Sequence, residues 1–506
     1  MRIINKIKKT INRLESSDAP FIYFVLTFFF AITLRNFMEI FSDHPHLFLN
    51  MFYHYYVSYI CLALALIILF YFATKEKIEK IARLVLPAFL ITSIVPILDL
   101  ILSLGKGYDI TYMLPETHGN LWLRFFTFFG DFPGKGVTPG MRIEIGLILL
   151  GSFIYFFIKN CGVLKSLIFS FLTYSLIFAY GIVPFGVRAL VSIFGAKFEL
   201  TTLLLLKFYL LLLFVLGIWV FYLYKKKYFI EIIKDMRVLR ILHYELMFLL
   251  GLVLAIKIDL SLSEPWFNQY AIFNWFFLMA AILFACLFSI ITNNLADYDI
   301  DKISNKQRPS VSKAVPVEHY KGLSWACLCL AIIYSLSVNY LSSFLILLFI
   351  GNYFLYSMPP LRLKRIPFFS KLLISLNSLV LLILGYYFVA RNLNIPVGIA
   401  VFFLVCLTAA INFIDLKDYE GDKGAGIKTI PTLLGLKKSK LIIGSFFLIS
   451  YIAAYFLLKN IYLLAPLIIL GGVQFWLINR ENYSEKPIFV VYLLSSSFLI
   501  IYLLKY

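Results

Sequence analysis

Apolar runs of about 20 residues recur along this chain, separated by short polar stretches that are mostly basic. The runs are continuous rather than alternating, so they predict spanning α-helices and not the strands of a closed barrel. Six spans are expected at about residues 20–40, 51–73, 83–105, 142–159, 163–183 and 201–224. A charged connector follows, from Lys225-Lys226-Lys227 through Lys234, Arg237 and Arg240. Nine more spans are expected at about 241–257, 271–295, 322–338, 342–357, 371–390, 396–416, 440–458, 461–479 and 487–505. The predicted fold is an all-α polytopic membrane protein with a membrane unit over 1–237 and a second over 238–506. Residues 1–19 are polar and basic with no small-residue cleavage site after them, so no cleavable leader is expected.

Composition agrees with this pattern. Of the 506 residues 61% are hydrophobic and 14% charged, against about 25% charged in soluble domains. The net charge of +19 does not point to nucleic acid, because Lys and Arg gather between spans. The basic N-terminus, the Lys75–Arg83 loop, the Lys159–Lys165 loop and the Lys225 cluster fall on one side, which the positive-inside rule makes cytoplasmic. The same basic loops suit anionic lipid headgroups. The cysteines mostly lie in apolar spans and read as small buried hydrophobes, not a disulfide or metal framework.

The chemistry is concentrated in two acidic clusters at helix ends, Asn293-Asn294-Leu295-Ala296-Asp297-Tyr298-Asp299-Ile300-Asp301 and Asp415-Leu416-Lys417-Asp418-Tyr419-Glu420-Gly421-Asp422. Asn293, Asp297 and Asp301 step by four, and Asp415, Asp418 and Asp422 step by three and four. Each set is expected on one helix face, at the cytoplasmic surface. Opposed carboxylates repel unless divalent cations lie between them, and hard oxygen donors suit Mg²⁺ completed by substrate phosphates. Basic residues stand nearby. Arg308 follows the first cluster, Lys417 and Lys428 flank the second, and Tyr356-Ser357-Met358-Pro359-Pro360-Leu361-Arg362-Leu363-Lys364-Arg365 joins two spans. A diphosphate held through Mg²⁺ calls for both acids and cationic donors.

These three segments resemble the UbiA-type intramembrane prenyltransferases, in the family's order and within about nine helices, over residues 238–506. The resemblance implies Mg²⁺-dependent transfer of an isoprenoid from its diphosphate to a lipophilic acceptor within the bilayer. It assigns Asn293, Asp297, Asp301, Asp415, Asp418 and Asp422 to the metal and diphosphate, and Arg362 and Lys364 to the diphosphate loop. Asn294 stands where the family usually has Asp; it keeps an amide oxygen but no charge. Asp299 points away from the acidic face at helical spacing.

Catalytic roles are therefore expected for Asp297, Asp301, Asp415, Asp418 and Asp422. Substrate contacts are expected from Asn293, Asn294, Arg308, Tyr356, Arg362, Lys364, Lys417, Lys428 and His243. Arg365 and Lys371 read as positive-inside anchors. Glu245 accompanies His243 as an ionisable group at membrane depth, with acceptor recognition as one reading. The best reading of the acceptor is an aromatic quinone precursor; a glycerol-phosphate ether lipid or another alcohol is the alternative. A non-catalytic carrier of lipid diphosphates is the reading from another class, with Asn294 as its support. The N-terminal helices resemble no recognised family; delivery or reception of a lipid, transport, and scaffolding of a protein partner are the open readings. Their Arg35 and Glu39, four apart, are placed to pair, whereas His44, His46 and His54, with the loop acids after Lys106, lack convincing ligand spacing.

Overall fold

The computed structural model describes residues 2–42, 49–108, 120–130, 137–193, 201–258, 269–366, 369–424 and 428–505. All regular structure among them is helical. Among the described residues fourteen helices are long and apolar enough to cross a membrane, making this an integral multi-pass protein. The chain forms two compact units, Met1–Phe229 and Ile230–Tyr506.

The first unit holds six candidate spans: α1 (Phe21–Ser42), α2 (Leu49–Thr74), α3 (Ile78–Leu102), α4 (Pro139–Ile158), α5 (Val163–Gly181) and α6 (Thr202–Tyr224). Its core is aromatic, with Phe28 edge-on to Phe89 at 4.9 Å and Phe70 edge-on to Phe156 at 4.8 Å. Arg35 and Glu39 do pair, at 2.9 Å. In the same unit Asp99 accepts a hydrogen bond from the Gly140 amide at 2.8 Å. His44, His46 and the loop acids Asp109, Glu116 and Asp131 lie outside the described residues.

The second unit begins within a short connector helix, Lys226–Asp235. Its long helices are α7 (Val238–Ile258), α8 (Gln269–Ala296), α9 (Val317–Leu336), α10 (Tyr340–Ser357), α11 (Phe369–Ala390), α12 (Val397–Leu416), α13 (Leu436–Leu458), α14 (Ile461–Asn479) and α15 (Glu485–Lys505). Helix α9 is the exception to the expected apolar spans. It forms at the expected place but is less apolar, because Glu318, His319 and Lys321 stand among its first five residues. It is held instead by its neighbour: Tyr334, wholly buried, stacks on Phe284 and packs at a tilt against Phe277 of α8.

The closest helix crossing in this unit is between α7 and α11. A Cβ added at Gly251 would lie 1.8 Å from the Leu382 carbonyl oxygen, and one at Gly385 would lie 1.8 Å from the Phe248 carbonyl oxygen. Only glycine permits two backbones to approach this far, and in a bilayer such contact is what binds helices together. Gly251→Ala or Gly385→Ala should therefore each cost about 3 kcal/mol through overpacking. Thermal unfolding of the detergent-solubilised protein should show the loss, and Gly472→Ala, in open space on α14, should not. Unchanged melting of G251A would contradict the crossing.

Candidate functional site

The first acidic cluster begins where α8 stops. Asp297 has φ −97° and ψ 11°, and a new short helix runs Tyr298–Ser304. The main-chain bonds still continue, from Asp297 N to Asn293 O at 2.9 Å and from Asp301 N to Asp297 O at 2.8 Å. Asn293, Asp297 and Asp301 thus remain one turn apart despite the break. Asp299 is exposed and pairs with Lys302.

The loop after α10 closes over this cluster. Arg362 and Lys364 each pair with one oxygen of the Asp297 carboxylate. Lys364 Nζ also reaches Asn293 Oδ1 at 3.2 Å, and Ser357 Oγ donates to the same oxygen at 2.9 Å. The Pro359–Pro360 peptide is cis. Arg362 has a left-handed backbone, φ 43° and ψ 53°, a conformation that costs a non-glycine residue about 1 kcal/mol. That turn aims its guanidinium at Asp297 and at the Ala296 carbonyl oxygen, 3.2 Å away. Its Nε is buried with no hydrogen-bond partner among the described residues. Burial holds the Lys364 ammonium below the usual lysine range, and Asp297 pulls against that shift.

The second cluster differs from a regular helix face. The last turn of α12, Ile411–Leu416, is a 3-10 helix, and a short helix, Tyr419–Gly424, follows. The tighter turn sends Asp415 inward, where it is buried and paired with Lys371. Asp418 stays exposed and Asp422 half-buried. Burial first, then the nearby Asp415 and Asp418, push the Asp422 carboxyl up to about 6. Lys371 corrects the sequence expectation: it is no surface anchor but the buried cation of this cluster, because its position on α11 faces Asp415.

Other expected residues are placed elsewhere. Asn294, fully buried, turns away from Asp297. Its amide nitrogen donates to Asp235 Oδ2 at 2.5 Å and Tyr320 OH at 2.9 Å, and its oxygen accepts from Arg237 at 2.9 Å. Arg308 pairs with Asp235 at 2.9 Å and lies 3.8 Å from Asp301, whose carboxyl burial shifts upward. Lys417 reaches Glu485, and Lys428 is exposed. Tyr356 packs edge-on to Tyr353, whose hydroxyl bonds that of Tyr244. His243 is engaged at both nitrogens, by Ser378 at 2.8 Å and Tyr492 at 2.9 Å, so the substrate contact expected of it is taken up by the protein.

Sequence reasoning missed Asp235, Arg237 and Tyr320, which carry the network behind the first cluster. The available signal was Asp235 itself, an acid in a connector otherwise rich in Lys and Arg. The arrangement as a whole offers hard oxygen donors beside guanidinium and ammonium groups. Among the described residues no three His, Cys, Asp or Glu side chains converge into a closed metal cage. The donor chemistry fits an open Mg²⁺ site completed by phosphate oxygens.

The Asp235 network makes an unexpected prediction. Asn294→Asp would set a second carboxylate against Asp235, and two carboxylates at such range cannot both ionise. The substitution should lower stability by about 2–3 kcal/mol, and Asp235→Asn should restore most of it in the double variant. Wild-type melting of N294D alone would contradict the network.

The model of the UbiA prenyltransferase family matches residues 247–497. A chloroplastic 2-acylphloroglucinol 4-prenyltransferase from Humulus lupulus is 30% identical over 240 residues, covering 44% of this chain and 58% of that protein. A digeranylgeranylglyceryl phosphate synthase from Thermococcus sibiricus is 28% identical, covering 41% of this chain and 73% of that protein. A probable homogentisate phytyltransferase 2 from Oryza sativa is 25% identical, covering 47% and 68%. The chain thus spans little more than half the length of the hop relative. A solved UbiA homologue from Archaeoglobus fulgidus, bound to DMAPP and Mg²⁺, is 20% identical, with a TM-score of 0.44, covering 54% of this chain and 98% of that one. By the family match over residues 247–497, the C-terminal half of this chain belongs to the UbiA prenyltransferase family.

Proposed function

We propose that the chain is a membrane prenyltransferase, moving an isoprenoid from its diphosphate to a lipophilic aromatic acceptor, a quinone precursor or related phenol. The observation that carries this is the double pairing of Asp297 with Arg362 and Lys364, matched by Asp415 with Lys371. Acids and cations interleave there as a metal-bound diphosphate requires. The hop and rice relatives, named for a phloroglucinol and for homogentisate, support an aromatic acceptor. Asn294 lends no support to a carrier without turnover, since its amide is engaged behind the site. The run of basic loops between spans supports a cell membrane location with both clusters on the cytoplasmic side.

In this reading Asn293, Asp297, Asp301, Asp415, Asp418 and Asp422 would hold Mg²⁺. When bound, the metal supplies charge neutralisation to the departing diphosphate. The chain's own groups do the rest. Arg362, through its spare Nε, and Lys364 hold phosphate oxygens and stabilise the negative charge that grows as the C1–O bond breaks. Lys371 holds the Asp415 carboxylate in place through their ion pair. The edge-packed rings of Tyr356, Tyr353, Tyr244 and Phe349 lead inward from the loop. They give the allylic cation aromatic faces and keep water from it. An electron-rich ring carbon of the acceptor then forms the new bond and loses its proton, which leaves with the diphosphate.

Release of diphosphate by protein in nanodiscs, supplied with geranylgeranyl diphosphate, Mg²⁺ and a panel of acceptors, tests this. Asp297→Ala and Asp418→Ala should each lower turnover by about 100-fold or more, while the melting temperature of D418A, an exposed site, stays near wild type. Turnover equal to wild type in either variant would reject the site. Chelation by EDTA should stop release, and added Mg²⁺ should restore it.

A further inference from the structure

The strongest unassigned feature of the second unit is a carboxyl group in its interior. Glu245, on the spanning helix α7, is only 8% exposed, and its Oε2 has no hydrogen-bond partner among the described residues. No ion pair holds it among those residues either. It follows Tyr244, whose hydroxyl bonds Tyr353 in the aromatic wall. Across from it stands Cys286 of α8, within electrostatic reach. Cys286 precedes Asn293 by seven residues, which sets Glu245 about 10 Å deeper than the first acidic cluster along the helix. Asn352 Nδ2 and Asn377 Oδ1 are likewise buried without a hydrogen-bond partner among the described residues.

We propose that Glu245 is the head-group site for the acceptor, and that this head group is uncharged and carries a hydroxyl. The inference rests on the transferase reading above and narrows it. A buried carboxyl oxygen without a partner carries an unmet hydrogen bond worth about 1–3 kcal/mol. A phenolic or alcoholic O–H entering from the aromatic wall meets it. A carboxylate or phosphate does not. Ionised, Glu245 repels such an anion; protonated, it has one hydrogen to donate and no positive charge to offset burying the anion. The arginine on the same helix, Arg240, lies five residues toward the surface, within reach of Asp418, and so belongs to the diphosphate end. The depth suits a two-substrate chamber, with diphosphate at the surface and acceptor below.

The test compares an uncharged alkylphenol with 4-hydroxybenzoate as acceptors, using the full chain in nanodiscs with geranylgeranyl diphosphate and Mg²⁺. Wild type should favour the alkylphenol in kcat/KM. In Glu245→Gln, whose amide donates to anions, that preference should fall about tenfold, with the change in KM rather than kcat. The Kd for geranylgeranyl diphosphate should stay unchanged in the variant, which also reports that it is folded. An unchanged preference in E245Q, or a loss of both acceptors alike, would overturn the proposal, since a merely structural glutamate lowers both together. Equal binding of radiolabelled alkylphenol to wild type and Glu245→Leu would overturn it too. No diphosphate release from wild type with any acceptor would instead overturn the transferase reading, while a Glu245-dependent loss of alkylphenol binding would still support the site.

Discussion

Carboxylates at the edge of a hydrocarbon layer persist only if cations stand against them, and the functional end of the second unit is organised by that requirement. Breaking a buried pair by removing one partner costs about 3–5 kcal/mol. Asp297 meets the requirement with two cations from one loop, and Asp415 with one from the neighbouring helix. The loop after α10 therefore has to return to the end of α8, and the left-handed turn at Arg362 is the strain accepted for it. The start of α11 has to lie against the end of α12 for the same reason. In the proposed reading the same pairing prepares the site for chemistry. A doubly charged metal with an anionic diphosphate would bring charges of both signs, and each would find a partner already in place.

A second layer sits behind the first. Asp235 receives Asn294, Tyr320 and Arg308, and so ties the connector, α8, α9 and the loop after the first cluster to one carboxylate. This explains why the compact unit begins at Ile230, inside the connector helix. The residues just before α7 belong with the helices they bind. It also gives the amide at 294 a physical cause. With Asp235 present, that position needs a group that donates as well as accepts, and a carboxylate only accepts. The departure from the family's pattern is a local hydrogen-bonding solution, outside the face that carries Asp297.

The sequence was informative where one-dimensional signals suffice. Apolar windows located fourteen spans, because crossing hydrocarbon is set by length and composition alone. Helix α9 was drawn from the same signal, but its polar first turn leaves burial of Tyr320 and Tyr334 to hold it. The four-residue stepping of Asn293, Asp297 and Asp301 survived a helix break, since the main-chain bonds bridge it. The stepping of Asp415, Asp418 and Asp422 did not give one even face, because no sequence rule signalled the 3-10 turn. Lys371 and His243 show the limit most clearly. Position along a span says that a Lys is near the surface, not which neighbour it faces. A histidine at membrane depth looks available until Ser378 and Tyr492, both more than 100 residues away, are placed beside it. Asp235 was invisible for the same reason, its partners being 59 to 85 residues distant.

The central claim is that two acidic clusters and one basic loop form a single site for a metal-bound diphosphate. Equilibrium binding of a non-reactive geranylgeranyl thiodiphosphate, titrated with and without Mg²⁺ in nanodiscs, addresses it directly. The account predicts saturable binding that requires Mg²⁺ and weakens in Arg362→Ala. Binding of equal strength in the presence of chelator, or in that variant, would contradict it.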